Sequence, residues 1–160
     1  MSNLKAIIVD DDEIDRYVAR RLLEKSGMFD TIVECNDGTE IDKLLKDKAG
    51  FDQRFGQRPP ATLIFLDINM PRMNGFEVLD AMRDIQNAGT LDFSRDCLVF
   101  MVSTSDSPDD QDKAADSGLI KDYLVKPITE ENLSAVLGKW YANLPPNPET
   151  KLDVAEPLPH

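Results

Sequence analysis

The sequence predicts an α/β fold: a doubly wound parallel sheet of five strands flanked by five helices. Two observations point there. Strand-like and helix-like patterns alternate five times along the 160 residues, and such alternation builds a parallel sheet with right-handed crossovers and helices on both faces. In addition, three short apolar runs end abruptly in polar groups. Ala6-Ile7-Ile8-Val9 runs into Asp10-Asp11-Asp12, Leu63-Ile64-Phe65-Leu66 into Asp67, and Tyr123-Leu124-Val125 into Lys126-Pro127. Short runs with β-branched or aromatic members read as strands buried on both faces.

Each element has a local reason. The first strand spans about Lys5 to Asp10. A helix follows from about Glu13 to Lys25, with Ile14, Val18 and Leu22 at spacing four as its apolar face, and Gly27 ends it. Thr31 to Glu34 is a short second strand, and Asn36-Asp37-Gly38 a turn. Ile41, Leu44 and Leu45 stripe a second helix. Gly50 to Pro60, rich in Gly, Pro and charge, reads as a surface loop. The third strand covers about Ala61 to Asp67, Pro71 to Gly75 forms a loop, and Phe76, Leu79 and Met82 mark a third helix to about Ile85. A polar connection, Asn87 to Asp96, leads to the fourth strand, Cys97 to Ser103. Pro108 suits the first turn of a fourth helix and Gly118 its C-terminal cap. The fifth strand is about Asp122 to Val125. Thr129 caps a fifth helix that buries Leu133, Val136, Leu137 and Trp140.

Bulk properties bound the function. Length and composition suit one domain with a real core, expected over residues 1–142, followed by an extended tail at 143–160 that carries five prolines. A formal net charge of -12 argues against binding nucleic acid or an anionic membrane surface. No apolar run approaches the ~20 residues that span a bilayer. The first strand starts too close to Met1 to leave room for a signal peptide. Cys35 and Cys97 read as buried, reduced thiols. Together these features predict a cytoplasmic protein.

Parallel strands bring their C-terminal ends to one edge, where open α/β sheets bind ligands. Asp10, Asp11 and Asp67 would therefore share one pocket with Lys126. Two carboxylates ~4 Å apart repel by about 4 kcal/mol at an effective dielectric of 20. Either a pKa rises or a cation binds, and hard oxygen ligands with room for water suit Mg²⁺. An oxygen of Asp67 would remain as a nucleophile for phosphorus. The ammonium of Lys126, the hydroxyl of Ser103 and backbone N–H groups near Thr104 could hold a phosphoryl group's oxygens.

The ordered set Val9-Asp10-Asp11, Leu66-Asp67-Ile68-Asn69-Met70-Pro71 with Gly75, Val102-Ser103-Thr104 and Tyr123-Leu124-Val125-Lys126-Pro127 resembles the receiver domain of two-component response regulators, over roughly residues 4–141. More narrowly, it resembles the single-domain, chemotaxis-regulator-like members. Each motif alone is weak, but the ordered set is specific. The resemblance implies a flavodoxin-like sheet in the family's known order, 2-1-3-4-5, with Asp67 as phosphoacceptor. It implies Mg²⁺ held by Asp11, Asp67 and the backbone carbonyl of Asn69, with Asp10 acting through a metal-bound water. Lys126 would bind the phosphoryl group, the Lys126–Pro127 bond would be cis, and Ser103 and Tyr123 would couple the site to a face made by the fourth helix, fifth strand and fifth helix. Implied partners are a sensor histidine kinase or histidine phosphotransfer protein as donor, a downstream protein target, and a second copy on phosphorylation. The only departure at these positions is mild: Ser103 stands where many relatives have Thr, and both supply a hydroxyl. Asn69 and Ser105 occupy positions that tune dephosphorylation in the family.

Other readings fit less well. Asp12 starts the first helix rather than holding metal. The sole histidine, His160, leaves the chain without a candidate phosphohistidine of its own. A dehalogenase-type phosphohydrolase wants Asp and Thr where Asn69 and Pro71 stand. A calcium loop at Asp10–Asp12 fails at Ile14. No G-x-G-x-x-G follows the first strand to bind a dinucleotide.

Overall fold

The structure, a computed structural model, describes residues 4–56, 62–93, 96–104 and 107–141, without the side chains of Trp140 and Tyr141. The Pro-rich tail, His160, Ser105 and the burial expected of Trp140 lie outside the described residues. In chain order the elements are β1 (Leu4–Val9), α1 (Glu13–Ser26), β2 (Phe29–Cys35), α2 (Gly38–Lys46), α3 (Lys48–Phe55), β3 (Thr62–Asp67), α4 (Gly75–Asn87), β4 (Cys97–Ser103), α5 (Pro108–Asp116), β5 (Ile120–Val125) and α6 (Glu130–Tyr141). All strand pairs are parallel, in the order β2-β1-β3-β4-β5.

Burial follows from that order. Every residue of β3 and β4 is buried, whereas the edge strands β2 and β5 are mostly half-exposed. Alternate side chains enter two cores. On one face Ile7, Val9, Ile64, Leu66, Val99 and Met101 meet α2, α3, α4 and α5. On the other, Ala6, Ile8, Leu63, Phe65, Leu98 and Phe100 meet α1 and α6. The Phe65 and Phe100 rings stack with centroids 5.5 Å apart. Cys35 and Cys97 are both buried thiols, and burial, with the charge of Glu40, pushes Cys35 up to about 12.

Three expectations need correcting. The sheet carries six helices, not five, because residues 50–55 of the expected loop belong to α3. Gly50, Gly56 and the local charges read as loop, but Phe51 and Phe55 stand at i, i+4, are both fully buried, and pack with centroids 4.8 Å apart. Asp47 starts that helix by accepting from the Gly50 N–H at 3.1 Å. On α1, the buried face carries Ala19 and Leu23, one residue later in the helical phase than Ile14, Val18 and Leu22. Ile14 is 72% and Val18 40% exposed. The phase is set where the helix begins, by Asp12, whose side chain caps the N–H groups of Ile14 and Asp15. The connection after α4 is not simply polar, since Leu91 and Phe93 are buried in the core. It is pinned by the Phe93 N–H donating to Gln86 Oε1 at 2.9 Å.

Candidate phosphoacceptor site

The site forms where β1, β3, β4 and β5 end. Asp10 directly follows β1 and its N–H donates to the Cys35 carbonyl at 3.1 Å, extending the ladder by one residue. Asp67 is the last residue of β3 and pairs with Val102 of β4. Ser103 closes β4 and is fully buried. The Ser103 carbonyl accepts from the Lys126 N–H at 2.8 Å, which holds the lysine at the end of β5. The peptide bond between Lys126 and Pro127 is cis.

The three carboxylates converge. One oxygen each from Asp10, Asp11 and Asp67 lie within 4.8 Å of one another, with Asp10 and Asp67 buried and Asp11 exposed. Lys126 Nζ lies 2.5 Å from Asp10 Oδ2, 2.9 Å from Asp15 Oδ2 and 3.7 Å from Asp67 Oδ1. The other oxygen of Asp10 accepts from the Asp12 N–H at 2.9 Å. Asp10 is thereby engaged on both oxygens, whereas Asp11 faces solvent. Oxygen donors this close, two of them buried, suit a small divalent cation.

Electrostatics set Asp67 apart. Burial and the neighbouring Asp10 charge push its carboxyl up to about 6, against the pull of Lys126 and of the Asn69 N–H. Burial also raises Asp10, partly offset by its hydrogen bonds to Lys126 and Asp12. Burial alone would lower Lys126, but its hydrogen bonds to Asp10 and Asp15 and the charge of Asp67 raise it instead. The ammonium is therefore fully protonated at neutral pH. One such cation cannot neutralise three converging carboxylates.

The loop after β3 is held tightly. The Gly75 N–H donates to the Ile68 carbonyl at 2.8 Å. A Cβ at Gly75 would lie 2.5 Å from the Asp67 carbonyl oxygen, so only glycine permits this return. Asn74 and Glu77 then cap α4 reciprocally. Arg72, at a φ of 65°, ion-pairs with the buried Asp37 before α2. Asn69 is exposed two residues after Asp67, and Thr104 is exposed just past β4. Tyr123, half-buried on β5, pairs with Met101 and packs against the core on the α2–α5 face.

Sequence reasoning missed Asp15, which sits in the first turn of α1 and shares Lys126 with Asp10. It also missed Arg16, whose Nη1 donates to the Asp10 carbonyl at 2.8 Å. The only signal was a run of acidic residues continuing into the helix. Among the described residues no helix is long and apolar enough to cross a membrane.

Comparison with known proteins agrees with this geometry. Residues 6–138 match the family model of the response regulator receiver domain. The chain is 29% identical to the two-component response regulator ORR41 of Oryza sativa subsp. japonica, over 86% of this chain and 94% of that protein. A two-component response regulator from Cytophaga hutchinsonii superposes with a TM-score of 0.72 at 26% identity, covering 89% of this chain and 100% of the other. The receiver domain of the histidine kinase CKI1 from Arabidopsis thaliana, solved with Mg²⁺ and BeF3⁻, shares the fold with a TM-score of 0.70 at 24% identity, over 87% and 90% of the two chains. With that match spanning nearly the whole sheet, and its acidic strand tips gathered around one lysine, the chain belongs to the response regulator receiver domain family.

Proposed function

We propose that this chain is a phosphoacceptor switch whose Asp67 takes a phosphoryl group from a partner phosphohistidine in an Mg²⁺-dependent step. The observation that carries the reading is the buried Asp67 carboxylate, flanked within 4.8 Å by Asp10 and Asp11 and approached by Lys126 at 3.7 Å. Asp11, Asp67 and the Asn69 backbone carbonyl would hold Mg²⁺, and Asp10 would act on it indirectly, through water. When bound, the ion offsets the carboxylate charge and the charge of the incoming phosphoryl group. Full engagement of Asp10 by Lys126 and the Asp12 N–H supports its indirect role. The Mg²⁺ and BeF3⁻ carried by the CKI1 receiver domain are the corresponding chemical pair.

In the transfer, an Asp67 oxygen attacks phosphorus, an O–P bond forms, and the P–N bond to the donor histidine breaks. The electron pair returns to the imidazole nitrogen. Lys126, the Ser103 hydroxyl and the Thr104 N–H hold the peripheral oxygens. Water later cleaves the acyl phosphate, so the chain catalyses its own phosphorylation and slow dephosphorylation and acts as a signalling switch. Ser103 and Tyr123 pass the change to the face of α5, β5 and α6, where a downstream protein or a second copy docks. The donor is a sensor histidine kinase or a histidine phosphotransfer protein. Val18, exposed on α1, lines the same pocket as Asp10, Asp15, Lys126 and Ile128, and gives such a donor an apolar foothold on the Lys126 side of the site. Residues 1–142 form the receiver unit and 143–160 a tail, with the switch working in the cytoplasm.

Incubation with a small acyl phosphate and Mg²⁺ tests the reading. One acid-labile, hydroxylamine-sensitive phosphate per chain is expected, lost in Asp67→Asn. Label persisting on that variant, or steady turnover of donor over many cycles without a labelled chain, would point to different chemistry.

A further inference from the structure

Lys126 faces more carboxylates than the phosphoacceptor chemistry requires. Its Nζ hydrogen-bonds Asp10 at 2.5 Å and Asp15 at 2.9 Å, while Asp67 stands beyond hydrogen-bond reach at 3.7 Å. The two carboxylates that hold it differ in their surroundings. Asp10's side chain is 7% exposed, and desertion would strand a buried charge. Asp15's side chain is 38% exposed, so water can take over its oxygens when the ammonium leaves. Asp15 is therefore the contact that yields.

On this basis, and resting on the phosphoacceptor reading above, we infer that Asp15 is a positioning residue that latches Lys126 on the α1 side of the pocket and opposes its engagement with a phosphoryl group on Asp67. A phosphoryl group draws the ammonium toward Asp67, and the Asp15 contact must stretch or break. The Asp15 carboxylate also repels the dianionic group, yet attracts a divalent cation. Removing its charge alone thus acts on the two ligands in opposite directions. Loss of helix capping or packing at α1 would move both affinities the same way.

The test uses the full chain with Asp15→Asn, Asp15→Glu and, as a control for net charge on the same helix, Glu24→Gln. Titration calorimetry measures Mg²⁺ affinity, then beryllofluoride affinity at saturating Mg²⁺. Decay of the acyl phosphate is followed in parallel. For Asp15→Asn, Mg²⁺ binding is expected to weaken and beryllofluoride binding to tighten, each by roughly three- to tenfold, with a longer-lived acyl phosphate. Asp15→Glu should stay near wild type, as should Glu24→Gln. Wild-type beryllofluoride binding that Asp15→Asn leaves unchanged or weakens overturns the latch alone. An equal gain from Glu24→Gln also overturns it, by assigning the effect to general charge. A wild-type chain that binds no beryllofluoride removes the phosphoacceptor reading and the latch with it.

Discussion

Leu66 and Asp67 are adjacent residues of one strand, both buried, and they do opposite things to the fold. Leu66 is fully buried in the core facing α2–α5. Asp67 is 5% exposed at the strand tip, among carboxylates that burial and mutual repulsion make hard to ionise. The middle of the sheet is optimised for burial. Its C-terminal edge keeps polar groups where burial disfavours them, a mismatch that a cation bound there would relieve.

The largest contrast comes from substituting those neighbours. Leu66→Ala should destabilise by about 3–5 kcal/mol through lost transfer energy and a cavity, read from urea unfolding. A loss below ~1 kcal/mol would mean that the site collapses around the smaller side chain. Asp67→Asn should act in the opposite direction in metal-free protein at pH 7. The folded carboxyl is raised from 3.8 to about 6, so the native state binds the proton more tightly than the unfolded chain does. Stability from this group is therefore fully present below about pH 4 and is lost as pH rises through about 6, a difference of roughly 3 kcal/mol. Asp67→Asn should be the more stable protein at pH 7, with a shallower fall in Tm between pH 4 and 6. Equal slopes in the two proteins would remove Asp67 as the source.

Mg²⁺ should relieve the same repulsion. At millimolar concentration it should stabilise wild type by roughly 1–3 kcal/mol and Asp67→Asn by clearly less. A Tm in wild type that ignores Mg²⁺ would count against the acidic pocket as a metal site. The smallest effect belongs to the outer face of α1. Ile14→Ser should change stability by no more than ~0.5 kcal/mol, because Ile14 is 72% exposed. A larger loss would place that side chain in the core after all.

The site was more legible than parts of the scaffold around it. Asp10, Asp67, Ser103 and Lys126 each end an apolar run, and a polar group that terminates a buried strand is a local signal needing no knowledge of the rest of the chain. Helix α3 was hidden because Gly50, Gly56 and surface charge outweigh Phe51 and Phe55 in any local reading, although those two rings fill the core. The face of α1 was misjudged because a four-residue spacing cannot show which of two adjacent stripes the helix turns inward.

The chain's own pattern determined the class of fold, the convergence of acidic strand tips and the identity of the lysine beside them, since period and termination are properties of neighbouring residues. Only the tertiary structure decided how that lysine is shared. Asp15 and Lys126 are separated by 111 positions, and their contact exists because α1 packs back along β1 while β5 delivers Lys126 to the same edge. No local pattern records an interaction between groups that meet only after the four crossovers from β1 to β5 have closed.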